Sequence, residues 1–127
     1  MTRDAIEILI VDDHPVVRAG LRALLDGDGL VITGEASSGE EALAIAVRSK
    51  PHVVLMDFSM RGMDGPSATR ALLRLVPKTR VVLLLTFETE RDIVRGRAAG
   101  AVATIAKDAP RAELRQAIVA SAQRRPA

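Results

Sequence analysis

Five apolar runs alternate with five longer stretches of helical periodicity along 127 residues, and few architectures accept that alternation. Strands buried on both faces read as near-continuous Val, Ile and Leu, and the helices between them must pack on a sheet. The pattern therefore specifies a parallel sheet covered by helices on both sides, an α/β fold with five strands. Strands are expected at 6–11, 30–35, 52–57, 80–86 and 101–106, with helices at 14–26, 38–49, 64–76, 89–99 and 109–123. A chain of this length can bury one sizeable core and is too short for two ordinary domains.

Local chemistry marks the helix starts. Ser38 with Glu41 forms a capping box, Asp64-Gly65-Pro66 and Asp108-Ala109-Pro110 open the third and fifth helices, and Asp13 precedes His14-Pro15. Val17, Leu21 and Leu24 share the sheet-facing side of the first helix, as do Leu114, Ala117, Ile118 and Ser121 in the last. Gly96 falls inside the fourth helix, where glycine costs about 1 kcal/mol against Ala, so that helix is expected to be the loosest.

Charged residues close three of the apolar runs. Asp12 and Asp13 end Ile6–Val11, Asp57 ends Val53–Met56, and Lys107 follows Ala101–Ala106. In neighbouring parallel strands these side chains meet at the carboxyl edge of the sheet, where open α/β sheets bind ligands. Two carboxylates 4 Å apart repel by about 4 kcal/mol at an effective dielectric near 20. A cation must share such a site; Mg²⁺ suits carboxylate oxygens, and Lys107 adds a further positive charge. Capping would account for Asp13 alone and a loop start for Asp57 alone, but neither accounts for the set. The set points to phosphoryl chemistry.

Composition removes other classes. Hydrophobic residues make up 48% and charged residues 27%, with both signs interspersed, as in globular rather than disordered or fibrous proteins. No apolar run approaches the ~20 residues of a membrane span, and no secretory leader pattern opens the chain, so a cytoplasmic location is expected. Cysteine is absent, which excludes disulfides and thiol chemistry. The net charge is only +2, and basic residues are scattered apart from the Gln123–Ala127 tail. With no Tyr or Trp and two Phe, the chain has no platform for stacking nucleic-acid bases.

The run Val11-Asp12-Asp13-His14-Pro15-Val16-Val17-Arg18-Ala19-Gly20-Leu21 resembles the opening of bacterial two-component response-regulator receivers. The likeness is to the branch usually fused to a LuxR-type helix-turn-helix output domain. Asp57-Phe58-Ser59-Met60-Arg61-Gly62-Met63-Asp64-Gly65 is similar to that family's phosphoacceptor loop, and Gly100-Ala101 through Lys107-Asp108 to its fifth strand.

The resemblance implies a flavodoxin-like, doubly wound (βα)5 fold with strand order 2-1-3-4-5. It implies that Asp57 accepts a phosphoryl group from the phosphohistidine of a sensor histidine kinase. Asp13 and Asp57 would ligate Mg²⁺ with the Ser59 backbone carbonyl, Asp12 would assist through a water, and Lys107 would pair with phosphoryl oxygens. Residues 1–121 would form the receiver, and 122–127 would begin a linker to a DNA-binding domain outside this chain. The chain would then be a signalling domain in transcription control rather than an enzyme, meeting DNA only through that further domain. A weak homodimer is expected through Val16, Ala19 and Ala23 of the first helix and Val119 of the last.

Three positions depart from the family pattern. Arg61 stands where Pro is usual. Leu85 stands at the switch Thr or Ser, with Thr86 next to it, which could substitute if the strand bulged by one residue. Thr104 stands at the switch aromatic. The acceptor machinery is thus expected to be complete and the Thr-to-aromatic relay broken. An atypical receiver acting as a phosphorylation-independent interaction module is the alternative. A Mg²⁺-dependent phosphatase is a third reading, but such enzymes commonly carry an Asp two residues past the nucleophile, and Ser59 is there. His14 is expected to shape its loop rather than touch the metal, His52 to have no role, and Met56, Met60 and Met63 to pack.

Overall fold

A computed structural model describes residues 5–123. The strands are β1 (Ile6–Val11), β2 (Leu30–Ala36), β3 (Val53–Asp57), β4 (Arg80–Leu85) and β5 (Ala103–Ala106). The helices are α1 (Pro15–Leu25), α2 (Gly39–Ser49), α3 (Gly65–Leu75), α4 (Glu90–Ala99) and α5 (Arg111–Gln123). All neighbouring strands are parallel, in the order β2-β1-β3-β4-β5. This is the flavodoxin-like order, with its switch point between β1 and β3.

Strand periodicity divides the core in two. Leu9, Val11, Val54, Met56, Leu83 and Leu85 pack against α2, α3 and α4, whereas Ile8, Ile10, Leu55, Val82 and Leu84 pack against α1 and α5. Every residue of β3 is buried, as its position in the middle of a doubly covered sheet requires. Leu21, Leu114, Ile118 and Ser121 are buried as their spacing predicts, with Val17, Leu24 and Ala117 partly buried on the same core. Met56 and Met60 lie in the other core, and Met63 packs against it. Among the described residues, no helix is long and apolar enough to cross a membrane.

The caps form much as read. Ser38 Oγ accepts from the Glu41 amide (3.1 Å), and Glu41 Oε1 accepts from the Ser37 amide (2.7 Å), one residue before the reciprocal bond of a capping box. Asp64 Oδ1 accepts from the Ser67 amide at the start of α3. At α1 the N-cap is His14, without a side-chain cap bond, so Asp13 is left for other work.

Three expectations need correction. β5 begins at Ala103 rather than at residue 101, because Gly100 ends α4 with φ 111° and the Ala101 amide donates back to Gly96 O. Gly96, read as a residue that only loosens α4, has a packing role. It is buried, and a methyl there would stand 3.1 Å from Leu83 Cδ1 and from Thr104 Cγ2, so the glycine lets α4 approach the sheet. Val119 is not a free apolar spot: it is partly buried against the α1/α5 core, while Val16, Ala19 and Ala23 remain exposed. Of the linker expected at 122–127, Ala122 and Gln123 lie in α5 and the rest falls outside the described residues.

Candidate functional site

Register brings the acidic residues together. Val11 pairs with Met56, so the residues that follow them, Asp12 and Asp57, leave adjacent strands at the same edge. Lys107 follows Ala106, which pairs with Leu85, and its amide donates to Leu85 O (2.8 Å); its side chain then crosses β4. Lys107 Nζ lies 3.0 Å from Asp57 Oδ2 and 2.8 Å from Asp12 Oδ2. The first contact is a hydrogen bond, whereas the second lacks the alignment and is a charge contact.

Both aspartates are buried, Asp12 with 0% and Asp57 with 1% of its surface exposed, so their charges interact with little solvent screening. Asp12 Oδ1 accepts from the His14 amide (2.9 Å), and His14 Nδ1 stands 3.0 Å from both Asp12 Oδ1 and Asp13 Oδ1. His14 thus bonds the loop through its amide, while its ring enters the carboxylate cluster. Asp13 Oδ2 accepts from the Arg61 amide at 3.2 Å. Proline, usual at that place, has no N–H to give, so here the backbone of Arg61 makes the contact. Asp57 Oδ1 accepts from the Ser59 amide at 3.3 Å.

Ligand atoms of Asp12, Asp13, His14 and Asp57 all lie within 4.8 Å of one another. Asp12 Oδ2 and Asp13 Oδ1 are buried and make no hydrogen bond. Buried carboxylate oxygens that accept no hydrogen bond, grouped with a third carboxylate, are a donor set suited to a hard divalent cation.

The electrostatics follow from burial. Burial pushes the Asp57 carboxyl above its usual range, and the charge of Asp12 adds to this against the hydrogen bond from Lys107. Burial acts to lower the Lys107 ammonium, but the close carboxylates of Asp12 and Asp57 outweigh it and raise the group above its ordinary value. A carboxyl whose folded pKa is raised contributes stability that is full below its unfolded value and is lost as pH rises through the folded value. Ionised Asp57 is thus a net destabilising group, while Lys107 stays charged across the acid and neutral range. In metal-free buffer, Asp57→Asn should melt higher than wild type at about pH 7, and the gap should shrink towards about pH 3, below the ordinary carboxylate range. Thermal melts across that window would detect the opposite trend, which would mean that Lys107 more than offsets the cost of burial.

Other expected residues are dispersed. β4 pairs with both neighbours without a register shift, so the bulge that would bring Thr86 into Leu85's place does not form. Thr86 lies exposed just past the strand, and Leu85 is buried in the core. Thr104 is half-buried beneath Gly96. His52 accepts from the Glu7 amide through Nδ1 (2.9 Å), away from the site.

Two arrangements escaped the sequence reading. Arg18 reaches the Asp12 carbonyl, and Arg95 of α4 lies 5.4 Å over the Phe58 ring while donating to Asp64 Oδ2 at 3.2 Å. Arginines one helical turn from an acidic loop, or on an amphipathic helix, carry no local mark that separates them from solvated ones.

A doubly wound five-stranded sheet with acidic residues at the carboxyl ends of β1 and β3 and a lysine after β5 defines a receiver-type signalling domain. The chain belongs to the response regulator receiver domain family, whose model matches residues 8–119. It is 47% identical over 114 residues to the response regulator GacA of Pseudomonas viridiflava, covering 89% of this chain and 53% of that protein. An uncharacterized transcriptional regulatory protein, YxjL of Bacillus subtilis, is 37% identical over 124 residues, covering 97% of this chain and 57% of the relative. The chain thus spans about half the length of the curated relatives it matches. Among solved structures, a two-component response regulator of the LuxR family from Aurantimonas sp. superposes with a TM-score of 0.89 at 32% identity, over 96% of this chain and 89% of that one.

Proposed function

We propose that this chain is the phosphoacceptor part of a transcriptional response regulator, with Asp57 the acceptor and a sensor histidine kinase the donor. The observation that carries the reading is Asp57 itself: a buried carboxylate at a strand end, hydrogen-bonded to Lys107 and flanked by Asp12 and Asp13. An Asp57 oxygen attacks phosphorus, the phosphorus–nitrogen bond of the donor phosphohistidine breaks, and the electron pair leaves with the imidazole. Lys107 neutralises charge on the transferring group, and a positioned site needs to do little else. Asp13, Asp57 and the Ser59 carbonyl would hold Mg²⁺, with Asp12 assisting through a water; bound there, the ion supplies charge neutralisation at the phosphoryl oxygens.

The domain assists its own phosphorylation and dephosphorylation and turns over no separate substrate. Its effect passes to a DNA-binding domain beyond residue 127, with residues past α5 beginning the linker, and it acts in the cytoplasm. Leu85 and Thr104 leave the usual hydroxyl-to-aromatic coupling without either part, and Thr86 is the nearest remaining hydroxyl in sequence. Exposed Val16, Ala19 and Ala23 support a weak homodimer through α1.

Titration with beryllofluoride and Mg²⁺, followed by amide chemical shifts, tests the reading. Wild type is expected to respond in the loops after β1, β3 and β5. Asp13→Ala is expected to lose the Mg²⁺ response, with affinity down by at least about tenfold. A wild-type chain that takes up neither ion would overturn the phosphoacceptor reading and favour a phosphorylation-independent interaction module.

A further inference from the structure

We propose that Arg18 is a positioning residue for the cation-binding carboxylates, clamped from behind by Glu35 and Arg22. The inference rests on the proposed phosphoacceptor function and adds residues outside the acidic cluster. Arg18 Nη1 donates to the Asp12 carbonyl at 2.6 Å, and Arg18 Nε donates to Glu35 Oε1 at 3.2 Å. Arg22 Nε donates to the other oxygen, Glu35 Oε2, at 2.7 Å.

The Asp12 carbonyl belongs to the peptide that joins the two acidic residues. β1 ends at Val11, and after the Asp12 amide bonds Ala36 O (3.1 Å) the chain leaves the ladder. Rotation of the next peptide plane would swing Asp13 relative to Asp57. A guanidinium bonded to that carbonyl and fixed at its other edge by Glu35 resists the rotation. The planar fork suits a two-sided hold that a lysine cannot reproduce. The Arg18 side chain is only 18% exposed and Glu35 31%, so the clamp is partly shielded from water. Bonds from Arg22 and then Arg18 hold the Glu35 carboxyl below its usual range, which keeps it charged.

Charge and position predict opposite signs. As a cation bonded to the Asp12 carbonyl, Arg18 repels a divalent ion held by the neighbouring carboxylates, so on Coulomb grounds its removal would tighten Mg²⁺ binding. As a positioning residue, its removal weakens binding. The test is Mg²⁺ titration of the 127-residue chain by calorimetry, with Arg18→Met, Arg18→Lys, Glu35→Gln, Arg18→Met with Glu35→Gln, and Lys78→Met as a control for loss of one positive charge.

Arg18→Met should raise the Mg²⁺ Kd about tenfold, the low end of what losing an outer partner of a metal site costs. Glu35→Gln and Arg18→Lys should shift it in the same direction by less, the double variant should be no worse than Arg18→Met, and Lys78→Met should match wild type. At saturating Mg²⁺ the labelling of Arg18→Met by acetyl phosphate should return to the wild-type rate, which a general folding defect would not allow. Unchanged or tighter Mg²⁺ binding in Arg18→Met overturns the inference, as does labelling that stays slow at saturation. If Arg18→Met does not fold, Glu35→Gln and Arg18→Lys decide by the same signs. A wild-type chain that binds no Mg²⁺ refutes the phosphoacceptor reading itself, whereas wild-type binding with unaffected variants refutes only the clamp.

Discussion

Asp57→Asn is expected to abolish the label that acetyl phosphate and Mg²⁺ should leave on the wild-type chain, which is expected to gain a single phosphoryl group. Asp12 is as deeply buried as Asp57, so burial does not choose between them. Position does. Asp12 Oδ1 is taken up by the amide and ring of His14 and Asp12 Oδ2 faces Lys107 Nζ at 2.8 Å, while Asp57 Oδ1 accepts only a long bond from the Ser59 amide. Asp57 also stands nearest the middle of the sheet edge, with Lys107 bonded to its other oxygen. An amide at 57 keeps the shape of the side chain but offers no anionic oxygen to attack phosphorus. Intact-mass and peptide mass spectrometry read the outcome directly. A modification of the same size on Asp12 or Asp13 in the Asp57→Asn chain would move the acceptor to another residue.

The second large effect is expected at the start of α3. Gly65→Ala places a Cβ 2.6 Å from the Asp57 carbonyl oxygen and 2.8 Å from Phe58 Cα, both backbone atoms that cannot rotate away. Overpacking commonly costs about 1–3 kcal/mol, and a clash with two backbone atoms should reach about 3 kcal/mol. For a domain of this size that is a fall in Tm of about 10 °C. Gly20→Ala is the control. A Cβ there meets nothing within 4 Å, so better helix propensity should stabilise the chain by up to about 1 kcal/mol. Thermal melts of the two variants would show the contrast, and equal Tm values would mean that the β3–α3 loop shifts at little cost.

Period alone marked the five strands and five helices, because burial on both faces makes a strand uniformly apolar and burial on one face makes a helix periodic. It also marked Asp12, Asp13, Asp57 and Lys107, since a charge ending an apolar run is conspicuous and the parallel order places such ends together. Relations between residues distant in the chain were not marked. Arg18 and Glu35 are 17 positions apart, and nothing local distinguishes that cation from a solvated one. The same holds for Gly96, a weak helix residue in isolation that becomes a close-packing position once α4 lies over Leu83 and Thr104. β5 was read two residues too long because its start depends on a cap that Gly100 forms with the end of α4. The chain by itself determined which faces are buried and which charges end the strands. Only the tertiary structure decided which of those charges touch, because strand order and register set distances that no local pattern contains.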